Sequence, residues 1–233
     1  MIKHMLSSAL LAGFAVGVLV ALLQYGFIER EILLAEQYES GVLVHFQGVA
    51  EAAHDPAASD HDPAATDQAP LLQRHALTVL FAFLTYAGYA LLLVAAYTVV
   101  GQQGYPVTVQ RGLLWGLAGF AVFQMAPAMG LQPDLPGTPS ADLVARQWWW
   151  LGCAVMTAGG LAVLAFVNGF GRLAGVFLMA LPHAVGAPET GSFAGVVPPE
   201  LAAAFAVRTL GIGLVAWVSL GGVLAWFDAR DPV

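Results

Sequence analysis

Five uncharged or nearly uncharged apolar runs dominate this chain and decide what it can fold into. From Met5 to Ile28 no residue carries a charge. Similar runs occupy about 76–100, 108–130, 148–167 and 201–227, with Arg111 and Arg208 as the charges inside them. A helix crosses the hydrocarbon layer with about 20 apolar residues. None of the runs alternates with period two, as the strands of a membrane barrel would. Only 10% of the residues are charged, against roughly a quarter in soluble domains. There is too little polar surface here to coat a water-facing globule. The expected fold is all-α: a single polytopic membrane domain, residues 1–233, with five helical spans.

A sixth apolar segment is ambiguous. Leu173 to Leu181 is followed by Pro182 and His183, then Gly186-Ala187-Pro188-Glu189. Its length suits a re-entrant or broken helix, and six spans result if it crosses. The first run is too long for the apolar part of a signal peptide and no small-x-small site ends it, so it reads as a retained span. Beyond it, EREILLAEQYE is expected to continue as a helix too polar for lipid.

Between the first two spans lies a long acidic loop, 41–75. Residues 29–74 hold nine acids and two bases, Arg30 and Arg74, within a chain of net charge −7. Such a segment repels nucleic acid and attracts cations. It contains a duplicated unit, HDPAASD followed by HDPAATD, at 54–67. His54 and His61, each beside an aspartate, are candidate metal ligands, with His45 and His75 in flanking sequence. Pro56, Pro63 and Pro70 favour extended backbone, and the spacing fits no fixed zinc pattern. The opposing reading is a slipped duplication in a low-complexity loop.

Polar groups at membrane depth are costly and usually face protein or water. Gln24, Gln124, Asn168, His183 and Arg208 qualify. Arg208 either snorkels to the interface or pairs with a carboxylate such as Glu189 or Asp134. His183 follows a proline, and a helix broken there would free carbonyls beside an imidazole, which is how transporters build cation sites. Borderline divalent metals accept imidazole and carboxylate. The candidate metal ligands are therefore His183, Asp134 and Glu189, with His54 and His61 in the loop. The opposing reading of His183 is a capping or core histidine.

Other features shape packing. Gly13/Gly17, Gly112/Gly116 and Gly171/Gly175 are four apart and predict close helix contacts. Met125 and Met129 read as core filler. Trp148-Trp149-Trp150 suits a membrane interface, and Ser140 could cap the helix after it. One cysteine, Cys153, supports neither a disulfide nor a thiolate cluster within one chain. No nucleophile elbow, phosphate-binding glycine loop or H-E-x-x-H is present, so no enzyme is expected and no cofactor is bound covalently.

Several blocks together resemble the CbtA family of predicted cobalt transporter subunits. They are EREILLAE after the first run, GLAGFAVFQMAPAMGLQPDLPG at 116–137, ADLVARQWWW at 141–150, LPHAVGAPE at 181–189 and VPPELAAAF at 197–205. The resemblance implies a multi-pass protein of the bacterial inner membrane with divalent cobalt as its substrate, linked to cobalamin supply. It also implies a small one-span partner carrying histidines. A second reading, from another class, is an auxiliary subunit that docks into a larger pigment or electron-transfer assembly. The expected partners are the lipid bilayer, that one-span subunit and a divalent metal ion, with no nucleic acid; co-elution with a large complex and no bound divalent metal would favour the second reading.

Overall fold

A computed structural model describes residues 2–45, 68–106, 108–191 and 194–230. The HDPAASD/HDPAATD repeat, with His54 and His61, lies outside the described residues. Within them every regular element is helical. The helices are α1 (Ile2–Phe27), α2 (Glu29–Glu39), α3 (Gln68–Gln102), α4 (Val109–Phe120), α5 (Leu143–Phe166), α6 (Arg172–Val185) and α7 (Pro199–Arg230). α4 runs on through a π-helical turn, Ala121–Met125, into a last α-turn, Ala126–Ala128.

Four helical stretches are long and apolar enough to cross a membrane: Met5–Phe27, Leu72–Gln102, Leu143–Phe166 and Pro199–Arg230. Their burial pattern is the reverse of a soluble helix. In α1 the small residues Ala9 and Ala12 are buried, while Leu11, Phe14 and Leu22 are more than half exposed. Large apolar side chains facing outward are stable where lipid replaces water.

Several boundaries differ from the sequence expectation. α3 begins at Gln68 rather than near 76, because a proline in the first turn of a helix loses no hydrogen bond. α5 begins at Leu143, and its cap is Asp142, whose carboxylate accepts from the Ala145 N–H at 2.9 Å. Ser140 does not cap; its hydroxyl donates to Asp134 instead. α6 has 14 residues, or about 21 Å of helix, short of the about 30 Å of a hydrocarbon layer. The expected break at Pro182 is absent. The helix carries Pro182 within it and ends at Gly186, whose φ of +90° suits only glycine.

The chain divides into two compact units. The first comprises Met1–Phe27, Pro56–Leu117 and Ile212–Val233. Its close contacts are made by glycine. A Cβ on Gly13 would lie 2.5 Å from the Ala87 Cα, and one on Gly17 2.9 Å from the Phe83 Cα. Gly112 and Gly116 meet the backbone of Gly221 and Trp217 in the same way. These are the packing contacts that the four-residue spacing predicts. Tyr97 reinforces them, its hydroxyl donating to the Gly221 carbonyl at 3.0 Å. His75 packs here too, its ring against Tyr25 with centroids 4.8 Å apart.

The second unit comprises Ile28–Asp55 and Ala118–Gly211. Its core forms where Ala35 of α2 meets Leu135 and Val197, with Ile32, Tyr38 and Phe205 packed around them. α5 and α6 pack through Gly160 and Gly175, each close to the other's carbonyl. Gly171, by contrast, meets only Val167 at the turn before α6.

Candidate functional site

The second unit holds a cavity of about 580 Å³. Its walls come from the π-helical turn, the 127–134 segment after it, the first turns of α5, and Thr209 and Leu210 in the first half of α7. Phe123, Gln124, Asp134, Arg146, Trp150 and Thr209 are on its lining.

The π turn follows from Pro127. Proline lacks an N–H, and its ring crowds the carbonyl four residues back, at Phe123. Widening the helix over Ala121–Met125 relieves that crowding, and the Ala126 N–H bonds to the Ala121 carbonyl. π turns inside α-helices are frequent at functional sites. This one carries Gln124 and Phe123, whose ring lies 6.1 Å from that of Trp150.

Two oxygens belonging to cavity-lining residues are buried without a hydrogen-bond partner among the described residues: Gln124 Oε1 and Thr209 Oγ1. A buried acceptor left unmet costs about 1–3 kcal/mol. The Asp134 carboxylate is on the same lining and is already engaged. Its Oδ2 accepts from Arg146 Nη2 at 2.6 Å and from Ser140 Oγ at 3.0 Å. Asp134 and Arg146 are both partly exposed.

The expected ligands do not converge. Asp134 lines the cavity, whereas His183 and Glu189 do not. His183 sits near the end of α6, with Nε2 4.0 Å from Cys153 Sγ and its ring 6.0 Å from that of Trp149. Trp149 also donates from Nε1 to the Pro182 carbonyl at 3.3 Å. Glu189 is exposed in the segment after α6. Among the described residues, no three of His, Cys, Asp or Glu stand together closely enough to hold a metal ion. The three-residue span from Trp148 to Trp150 also divides its work: Trp149 and Trp150 pack inward, while Trp148 is exposed.

Arg208 pairs with neither Glu189 nor Asp134. Its partner is Glu31 of α2, which is buried apart from 4% of its surface. Helical spacing carries the missed signal: Glu31, Ala35 and Tyr38 fall at i, i+4 and i+7, on the apolar face of α2. The acidic content of EREILLAEQYE hides that face. Thr209, a neutral residue in an apolar run, gives no sequence signal at all. Arg172 behaves as an interfacial cation, donating to the Val167 carbonyl at 3.0 Å and to Asn168 Oδ1 at 3.4 Å.

No curated protein and no solved structure matches the chain. The family whose model is described as probable cobalt transporter subunit (CbtA) matches residues 2–229. That match covers nearly the whole chain and agrees with the membrane-length helices, and the chain belongs to the CbtA family.

Proposed function

We propose that the chain is the multi-pass subunit of a divalent-cation importer in the bacterial inner membrane, with cobalt as its cargo and cobalamin supply as the use of that cobalt. The family membership supplies the cargo. The observation that carries the route is the cavity of the second unit, where Gln124 and Thr209 hold buried oxygens without partners and Asp134 adds a carboxylate. Gln124 sits on a π turn, and polar groups at membrane depth usually face protein or a water path, which supports a cation pathway here.

In this reading the helical run from Val109 through Ala128 is a fifth span, with Arg111 tied to the Pro106 carbonyl at its entry. The acidic segment with His54 and His61 raises the local concentration of cations by its charge. A small one-span partner with histidines completes the importer. His183 and Glu189 stay outside the route, and Asp134 is the ligand from the sequence reading that remains in it.

The test is cobalt uptake in cells stripped of other cobalt importers. Removing this chain abolishes uptake, and restoring it together with its partner recovers it. Gln124→Leu, expressed to the same level, lowers uptake about tenfold if one charge-assisted hydrogen bond is lost. Uptake that persists without the chain sinks the proposal.

A further inference from the structure

A connection between two spans lies on one face of the membrane or the other, and the spans on either side of it have to deliver it there. In the second unit, segments from three remote parts of the chain pack together. Ala35 of α2, Leu135 between the α4 run and α5, and Val197 between α6 and α7 share one buried core. Glycines let these segments approach closely. A Cβ on Gly137 would lie 2.9 Å from Val196 Cγ2 and 3.3 Å from Glu39 Cβ, and one on Gly195 would lie 2.7 Å from Pro139 Cδ. α2, 129–142 and 194–198 therefore form one folded cap on one face.

α5 is long and apolar enough to cross, so it carries the chain away from this cap. α6 has to bring it back, because 194–198 belongs to the cap again. Contacts along the pair describe a full return. Towards the far end the helices meet at Gly160 and Gly175. At the cap end Trp149 donates to the Pro182 carbonyl, and a Cβ on Gly130 would come within 2.8 Å of both Trp149 and Ala187. The end of α6 stands level with the second turn of α5.

Length permits the crossing. Three residues of 3-10 helix, Gly169–Gly171, lead into the 14 of α6, and together they reach about 27 Å. The stretch of α5 beside them, from Trp149 to Phe166, is also about 27 Å long. The bilayer takes up the remaining few ångströms by thinning locally. Phe170, 92% exposed, and Arg172 mark one interface, and the exposed Trp148 marks the other.

Charge tells the two faces apart. α1 ends where α2 begins and α7 starts beside 194–198, so the far ends of both spans lie opposite the cap. Among the described residues, the carboxylates of α2 and of 129–142, with Glu189 and Glu200, fall on the capped face. The opposite face has Lys3, Arg111, Arg172 and Arg230, with Asp228 as its described carboxylate. Arg111 and Arg172 donate to backbone carbonyls there. The cytoplasmic leaflet carries a negative surface potential, which attracts basic residues beside spans and repels an acidic cap.

We propose that α6 crosses the membrane as a sixth span and that the cap of α2, 129–142 and 194–198 is folded on the outer face, where it presents an acidic surface to arriving cations. The role of that surface rests on the importer reading above, and the topology does not. The lining of the cavity agrees with entry from this side, since its α5 residues all fall between Leu143 and Leu151, at the capped end.

The test is labelling by a membrane-impermeant maleimide, with the full chain in its native membrane and Cys153→Ala as the parent. Single cysteines are placed by Ser40→Cys and Glu189→Cys on the cap side, and by Gln103→Cys and Phe170→Cys opposite; all four positions are exposed. Variants that melt in detergent like the parent are compared. The expected result is that Ser40→Cys and Glu189→Cys react in intact cells, while Gln103→Cys and Phe170→Cys react only once the inner membrane is opened. A fluorescent protein fused behind α7, which fluoresces only if it stays in the cytoplasm, is expected to be bright, and it needs no substitution. Glu189→Cys and Phe170→Cys reacting from the same side would make α6 re-entrant and overturn the proposal. A cap that reacts only in opened membranes, or a dark fusion, overturns it too. If cobalt uptake proves independent of this chain, the transport reading fails, and the labelling pattern still decides the topology.

Discussion

Glu31 and Arg208 form an ion pair whose partners are unequally buried: the carboxylate is 4% exposed as a residue, while half of the arginine side chain reaches the surface. The asymmetry fixes which loss hurts more. Without Arg208 the carboxylate stays buried and uncompensated, and Arg208→Gln costs about 3 kcal/mol. Without Glu31 the guanidinium can still be hydrated, and Glu31→Gln costs about 1 kcal/mol. Thermal unfolding of the purified variants in detergent checks the order. Equal losses would mean that burial does not govern the pair.

Gly13 admits no side chain where α1 crosses α3. Gly13→Leu forces the two backbones apart and costs about 2 kcal/mol or more, as overpacking does. Gly88, on α3, has open space around its missing Cβ, and Gly88→Ala is expected to be neutral or slightly stabilising. Detergent melting of both proteins distinguishes crossing geometry from a general intolerance of side chains.

Asp142 caps α5, and its loss should be local. Asp142→Ala removes one bond to the Ala145 N–H and lowers stability by about 1 kcal/mol. Ser140→Ala leaves the helix start unaffected and acts on Asp134 instead. Amide hydrogen exchange over residues 143–147 reports the difference, with faster exchange expected for Asp142→Ala alone.

His183 lies against Trp149 and Cys153 and is not among the residues that line the cavity. His183→Ala, at matched expression, should leave cobalt uptake within about twofold, since it removes a ring contact worth about 1 kcal/mol. A tenfold loss with unchanged melting would put the imidazole back on the route.

Deleting 54–67 removes His54, His61 and four aspartates. At saturating cobalt, uptake should be unchanged. At limiting cobalt it should fall a few-fold, and added salt should erase the difference, because screening acts within about 8–10 Å at physiological salt. A loss at saturating cobalt would make the repeat a site in its own right.

Much of the architecture was legible from local pattern. The apolar runs specify membrane-length helices because a run of that length can satisfy its backbone only internally. Glycines four apart mark contact faces whatever the partner, and Gly13, Gly17, Gly112 and Gly116 all lie at one. The seven-residue phase of Glu31, Ala35 and Tyr38 was also present in the sequence, but it was masked by four acids in eleven residues.

The candidate site was legible only in fragments. Gln124 and Asp134 stand out as polar residues near apolar runs, yet nothing local says that they share a wall with Thr209. Pro182 before His183 predicts a break in the helix there, and the helix instead continues through that proline. A proline removes one hydrogen bond, and whether the helix then breaks depends on tertiary packing that no local pattern encodes.

The sequence by itself determined the class: membrane-length helices and glycine-mediated crossings. Each follows from the period and polarity of neighbouring residues. Only the tertiary structure decided which charges pair and which oxygens stay unmet. Arg208 chose Glu31, and Asp134 was left to Arg146, because pairing depends on distances between segments remote in the chain. No local period encodes those distances.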